Sequence, residues 1–134
     1  MIAKLYNLKK NQTEQKLIEK ANLEQEIYKI EEDIEATTHR INTATVDKFG
    51  SISDFMILAM HKDSLRFHIE KQILKKNSLQ SKVDNLFLEI VELQKESEQY
   101  KYILDEEKKE KQKALLDLQN LESEEFIQSK YIRA

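Results

Sequence analysis

The stretch that decides the fold is 79–104, LQSKVDNLFLEIVELQKESEQYKYIL. Apolar side chains recur in it at alternating steps of four and three residues: Leu79, Val83, Leu86, Ile90, Leu93, Tyr100 and Leu104, with Ser97 as the one interruption. This spacing is typical of a single stripe on a helix that packs against another helix. Because the intervening residues are mostly charged or amide side chains, the stripe requires a second helix to cover it.

Composition points the same way. The 134 residues include no Pro, one Gly, no Cys and no Trp, and 35% of them are charged. So much charge with so few helix breakers predicts an all-α chain of long helices. The net charge is −3 with both signs interspersed, so we expect no nucleic-acid partner. The absence of Cys fits a cytoplasmic setting, and no apolar run predicts direct membrane insertion.

The seven-residue pattern predicts a single domain over 1–134, with a helix at 4–45, a turn at 46–52 and a longer helix at 53–131. Leu23, Ile27 and Ile30 begin the regular part of the first stripe, whereas 9–16 is entirely polar and predicts fraying or a shift in register. Two long amphipathic helices joined by a short turn fold back antiparallel. The predicted architecture is therefore an antiparallel coiled-coil hairpin.

Local signals mark the turn. Thr43 and Thr45 are β-branched and form helices poorly. Gly50, the single glycine, accepts the left-handed conformation that often follows a helix. Ser51 stands three residues before Asp54, as in a capping box, and Ser53 is the competing helix cap.

The two predicted helices differ in length, and this difference predicts a binding surface. A turn centred near 49–50 pairs Ile41 with Leu58 and Ile34 with Leu65, so that the first helix ends opposite Ser97. About 37 residues then project by ~55 Å without an intrachain partner. They keep an apolar face that we expect to bind another protein. Its residues are Leu104, Ala114, Leu115, Leu118, Leu121, Phe126 and Ile127.

The segment 55–60, FMILAM, is the densest apolar cluster, and it directly follows the turn. Not all of its side chains can face the first helix, and exposed methionines suit adaptable binding. No motif for catalysis or for a cofactor occurs. His61 and His68 share a helix face, but a metal site would need more converging ligands. We therefore expect no enzyme, no cofactor and no metal.

The chain resembles the FliJ family, the small coiled-coil component of the flagellar type III export apparatus. The resemblance is carried by the hairpin with its uneven second helix, by the spacing of Leu65, Ile69 and Gln72 after the turn, and by the end of the chain, with Glu125 and Phe126 as an acidic-aromatic pair. It implies a non-enzymatic protein similar to the central stalk of rotary ATPases. The implied partners are the export ATPase ring, the membrane export gate and export chaperones. The implied location is cytoplasmic, peripheral to the inner membrane through protein partners.

The same resemblance implies where these partners bind. The ATPase ring would take the C-terminal residues Leu104, Leu115, Leu118, Leu121 and Phe126. The gate would contact Ile34, Thr38, Ile41, His61, Leu65, His68 and Gln72, near the turn. Two other readings of the pattern stay open: a homodimeric structural coiled coil and a prefoldin-like chaperone subunit. The prefoldin fold needs strands between its helices, for which 43–53 offers little room.

Overall fold

The computed structural model describes residues 1–46 and 50–133, in which two helices account for almost the whole chain. They are α1, Ile2–Thr43, and α2, Ile52–Arg133. Their bounds lie within two residues of the predicted ones. Residues 47–49 of the predicted turn lie outside the described residues. The fold is an all-α helical hairpin whose second helix is the longer one, as the sequence predicts.

The start of α2 is fixed by a reciprocal cap. The backbone N–H of Asp54 donates to Ser51 Oγ at 3.2 Å, and the backbone N–H of Ser51 donates to Asp54 Oδ2 at 3.0 Å. Ser51 is therefore the cap, and the competing residue Ser53 is not. Gly50 lies beside this cap and is seven residues beyond the end of α1, so it does not cap α1 as expected.

The chain divides into two compact units, Glu14–Val91 and Met1–Thr13 with Glu92–Ala134. The core of the first unit is the cluster of Ile27, Ile30, Leu79 and Val83, all less than a tenth exposed. Leu23 and Ile34 pack against this cluster. These are stripe residues of both helices, so the seven-residue pattern correctly identifies the core.

Polar contacts within the unit 14–91 show that the helices are antiparallel but in a different register from the predicted one. Lys16 pairs with Glu89 at 3.2 Å, and Glu31 with Lys76 at 3.0 Å. Residues of α1 therefore lie opposite positions about seven residues, or one heptad, further along α2 than predicted. The predicted pairing of Ile34 with Leu65 is wrong. A shift by one heptad keeps both stripes facing each other, so the hydrophobic pattern could not detect it.

The register shift is also seen at the end of α1. In this register Thr43, the last residue of α1, lies level with residues beyond Met60 on α2. The first turns of α2 therefore extend past the end of α1. Thr45 and Val46 of the connecting segment cover one side of this extension, in a shallow groove shared with Ile57, Leu58 and His61. A symmetric turn, which the prediction assumed, would have placed the two helix ends level.

In α1, the polar stretch 9–16 neither frays nor shifts the register. The helix begins at Ile2, and steps of four and three continue through the covered positions Tyr6, Lys9, Thr13 and Lys16. Leu5 and Leu8 point away from the stripe and are exposed. Polar side chains thus occupy the stripe here, and the Thr13 hydroxyl donates to the Lys9 carbonyl at 2.7 Å.

Candidate protein-binding surfaces

The C-terminal part of α2 is unpaired. In the unit that holds both ends of the chain, Lys9 pairs with Glu96 at 2.7 Å, and Tyr100 and Leu104 are half-buried. The hydrogen bond to Glu96 raises the pKa of Lys9. From Glu107 to Ile132 every side chain is exposed. The unpaired part therefore begins about ten residues later than the predicted Ser97, and the one-heptad register shift accounts for about seven of them.

This unpaired part carries a wide apolar surface. Leu118 and Leu121 continue the stripe of the paired region and are each 53% exposed. Leu115 and Phe126 flank them and are 57% and 69% exposed. Phe126 borders a shallow groove with Gln119 and Ile127. We name the residues Ala114, Leu115, Leu118, Leu121 and Phe126 the C-terminal face. Leu104, which was predicted to belong to it, is half-buried within its own unit.

A polar segment separates this face from the paired region. Residues 105–113, DEEKKEKQK, contain no apolar side chain, yet the helix continues through them. Glu106 and Lys109 approach to 3.7 Å one turn apart, an arrangement that supports an exposed helix. The C-terminal face is therefore a distinct patch and not simply the frayed end of the intrachain stripe.

The seven residues that the resemblance assigns to the gate are divided between the core and the surface. Leu65 is 8% exposed, and Ile34 and Ile41 are half-buried, so these three side chains pack within the hairpin. Thr38 and His61 are exposed and accessible to a partner. The Thr38 hydroxyl donates to the Ile34 carbonyl at 2.8 Å. A partner could reach Leu65 only if the two helices separated.

His68 and Gln72 converge on a residue that sequence reasoning missed. Gln72 Nε2 donates to Asp33 Oδ2 at 2.7 Å, and His68 Nε2 lies 2.6 Å from the same oxygen. Both hydrogen bonds lower the pKa of Asp33, and the one from Gln72 has the larger effect. The two donors lie four residues apart on α2 and therefore share one face of the helix, which the sequence alone shows. The acceptor could be identified only once the register was known.

The beginning of α2 exposes most of its apolar side chains. Ile52 is 81% exposed, Ile57 65% and Met60 70%, and Phe55 and Met56 are also exposed. Within 55–58 only Leu58 is half-buried, and it lines the same shallow groove as Val46. The prediction that this cluster cannot all face α1 is confirmed.

Among residues 1–46 and 50–133, no group of three or more His, Cys, Asp or Glu side chains is placed to hold a metal ion. None of the described helices combines the length and the apolar character that crossing a membrane requires.

Comparison with known proteins identifies no relative of this chain. No family model, no curated protein and no solved structure matches the chain.

Proposed function

We propose that this protein is a non-enzymatic accessory component of a flagellar type III export apparatus. In this proposal the C-terminal face binds the export ATPase ring. The exposed residues near the turn, Thr38 and His61, contact the export gate, and the hairpin hands on export chaperones. The resemblance to the FliJ family supplies the identity of these partners, and the exposed face of α2 supplies the physical basis for a protein partner.

The observation that carries the proposal is the unpaired apolar surface of α2. Four large side chains of the C-terminal face are more than half exposed, and every side chain of the surrounding segment 107–132 is exposed. An isolated amphipathic helix is marginal in water, so a helix that docks in a groove of another protein gains stability on binding. An apolar surface of this kind is a protein-interaction surface.

Self-association is the second candidate, because a continuous stripe at heptad spacing also fits a second copy of the same helix. A homodimeric coiled coil would bury Leu118 and Leu121 between two chains. The prefoldin-like reading has less support, since the described residues of the connecting segment, 44–46 and 50–51, form no strand. Light scattering of the purified chain separates the remaining two: a monomer favours a different partner, and a dimer favours the structural rod.

The decisive experiment measures binding of the purified chain to the purified export ATPase by titration calorimetry. The test variant is Leu118→Glu with Leu121→Glu, and the matched control is Gln119→Glu with Asn120→Glu, which adds the same charge to the same helix turn. We expect the test variant to weaken binding at least ~30-fold, because two anchor side chains are lost, and the control to bind within ~3-fold of the native chain. Failure of the native chain to bind the ATPase or to change its hydrolysis or oligomeric state would refute the proposal.

A further inference from the structure

We propose that the start of α2 inserts into the surface of an anionic lipid bilayer. The inserting segment, which we call the tip, is Ile52–Met60, ISDFMILAM. It belongs to the unit 14–91 and extends beyond the end of α1. This inference is independent of the proposed function, and it departs from the sequence expectation of no direct membrane insertion.

The distribution of apolar side chains around the tip indicates the kind of environment it enters. At 100° per residue, the exposed side chains of Ile52, Phe55, Met56, Ile57 and Met60 point in directions spread over more than half of the helix circumference. A helix that docks onto another helix exposes one stripe instead. An element that is apolar on most sides is typical of one surrounded by an apolar medium, as when a helix end enters lipid.

The polar side chains of the tip, Ser53 and Asp54, are confined to its first turn. Asp54, its only charged residue, accepts a hydrogen bond from the Ser51 backbone in the capping box. Ser51 Oγ in turn accepts from the Asp54 backbone. The first polar backbone groups of the helix are thus partly satisfied within the chain, which lowers the cost of moving the helix end out of water.

Cationic side chains lie immediately behind the tip. Lys62 and Arg66 follow it on α2, and Arg40 lies near the end of α1, level with Leu65 in the observed register. Asp63 is the one acidic residue within 61–66, and it pairs with Arg66 at 2.9 Å. We name Arg40, Lys62 and Arg66 the basic collar. A net positive collar behind an apolar end is complementary to anionic lipid headgroups.

The dimensions are consistent with this arrangement. The nine residues of the tip span ~13 Å of helix, close to the ~5–10 Å depth that interfacial segments reach. Lys62 follows Met60 by about half a helical turn, which places the collar at headgroup level. The two elements of interfacial binding, apolar contact and headgroup charge, therefore occur in the correct order along the helix.

The absence of Trp from the chain permits a site-specific test. The full-length variants Met56→Trp and Leu74→Trp each carry one reporter. Leu74 serves as the control because it is also exposed on α2 but lies outside the tip. With vesicles of phosphatidylcholine and phosphatidylglycerol at 3:1, Met56→Trp should shift its emission to shorter wavelength and be quenched by brominated lipid. Leu74→Trp should do neither. Circular dichroism verifies that both variants keep native helicity.

Vesicle flotation then tests the two parts of the site. Changing Ile52, Met56 and Met60 to Ser should reduce bound protein at least ~10-fold, whereas Leu74→Ser with Leu88→Ser should leave it unchanged. Each collar change, Arg40→Gln or Arg66→Gln, should weaken binding about fivefold at low salt. No flotation of the native chain, or equal quenching of both Trp reporters, would overturn the proposal. Flotation that persists after the tip change would overturn it as well.

Discussion

At the scale of single residues, two polar arrangements determine features of the hairpin that the hydrophobic pattern does not determine. The Ser51–Asp54 cap determines where α2 starts. Asp33, held by Gln72 and His68, joins the two helices at one position along the heptads. Such a contact can form in one register only, whereas stripes of Ile and Leu still pack against each other when one helix is shifted by seven residues. We interpret Asp33 as a residue that favours the observed register over its heptad-shifted alternatives.

The first prediction concerns the pH dependence of this contact. Because the pKa of Asp33 is lowered in the folded chain, its stabilising effect is present above its unfolded pKa and disappears as the pH falls through the folded value. We expect Asp33→Ala to reduce the free energy of unfolding by about 0.5–1 kcal/mol at neutral pH, a modest value since the carboxylate is partly exposed. Urea unfolding followed by circular dichroism measures this difference at neutral and at strongly acidic pH.

The control for this experiment is Asp63→Ala, which removes an exposed pair within α2. It should change stability by no more than a few tenths of a kcal/mol. A loss in Asp33→Ala that stays constant down to the lowest pH would show that the carboxylate is not the source of the stabilisation.

A second residue-scale prediction concerns the cap. Ser51→Ala removes the acceptor for the Asp54 backbone N–H, and we expect a loss of about 1 kcal/mol in stability. Ser53→Ala, at the competing position, should cost less than half as much. Thermal unfolding of the two variants compares them directly. Equal losses would mean that Ser51 is not the principal cap.

At the scale of the elements, α1 combines an apolar half with a polar half. Its stripe holds Ile27, Ile30 and Ile34 toward the turn, but Lys9, Thr13 and Lys16 toward the N-terminus. The ammonium groups of Lys9 and Lys16 form ion pairs with glutamates of α2, while their aliphatic stems lie along the helix interface. The N-terminal half of α1 therefore buries less apolar surface and contributes less to the stability of the hairpin.

The third prediction follows from this polarity. Lys16→Leu places an apolar side chain at a covered stripe position and loses only a partly exposed ion pair. We expect a gain of about 1 kcal/mol in the free energy of unfolding. Leu17→Lys at the adjacent exposed position is the control, and it should be nearly neutral. If Leu17→Lys destabilised the chain more than Lys16→Leu stabilised it, the assignment of the stripe in α1 would be wrong.

At the scale of the whole molecule, the buried core and the proposed partner-binding surface lie in different parts of the chain. The paired residues of both helices bury the core, whereas every side chain of 107–132 is exposed. Removal of the C-terminal part should therefore leave folding intact and abolish binding through the C-terminal face.

The fourth prediction tests this separation. A chain that ends at Glu106 should unfold at a urea concentration within experimental error of the full-length midpoint, because the removed side chains of 107–132 are all exposed. Its binding to the export ATPase should be lost. A chain that ends at Leu93 is the control, and it should be destabilised because it lacks Tyr100 and Leu104. A lower midpoint for the Glu106 chain would show that the unpaired part supports the hairpin.

The sequence by itself determined the helical class, the two helices to within two residues, the stripe residues that form the core, and the presence of unpaired apolar surface at the C-terminus. These follow from periodicity and from the lack of helix breakers, which are local properties. Only the tertiary structure decided the register, and with it the partner of His68 and Gln72, the position where pairing stops and the exposure of the tip. The physical reason is that heptad packing repeats every seven residues, so one hydrophobic pattern fits several registers. A few polar contacts between the helices select among them.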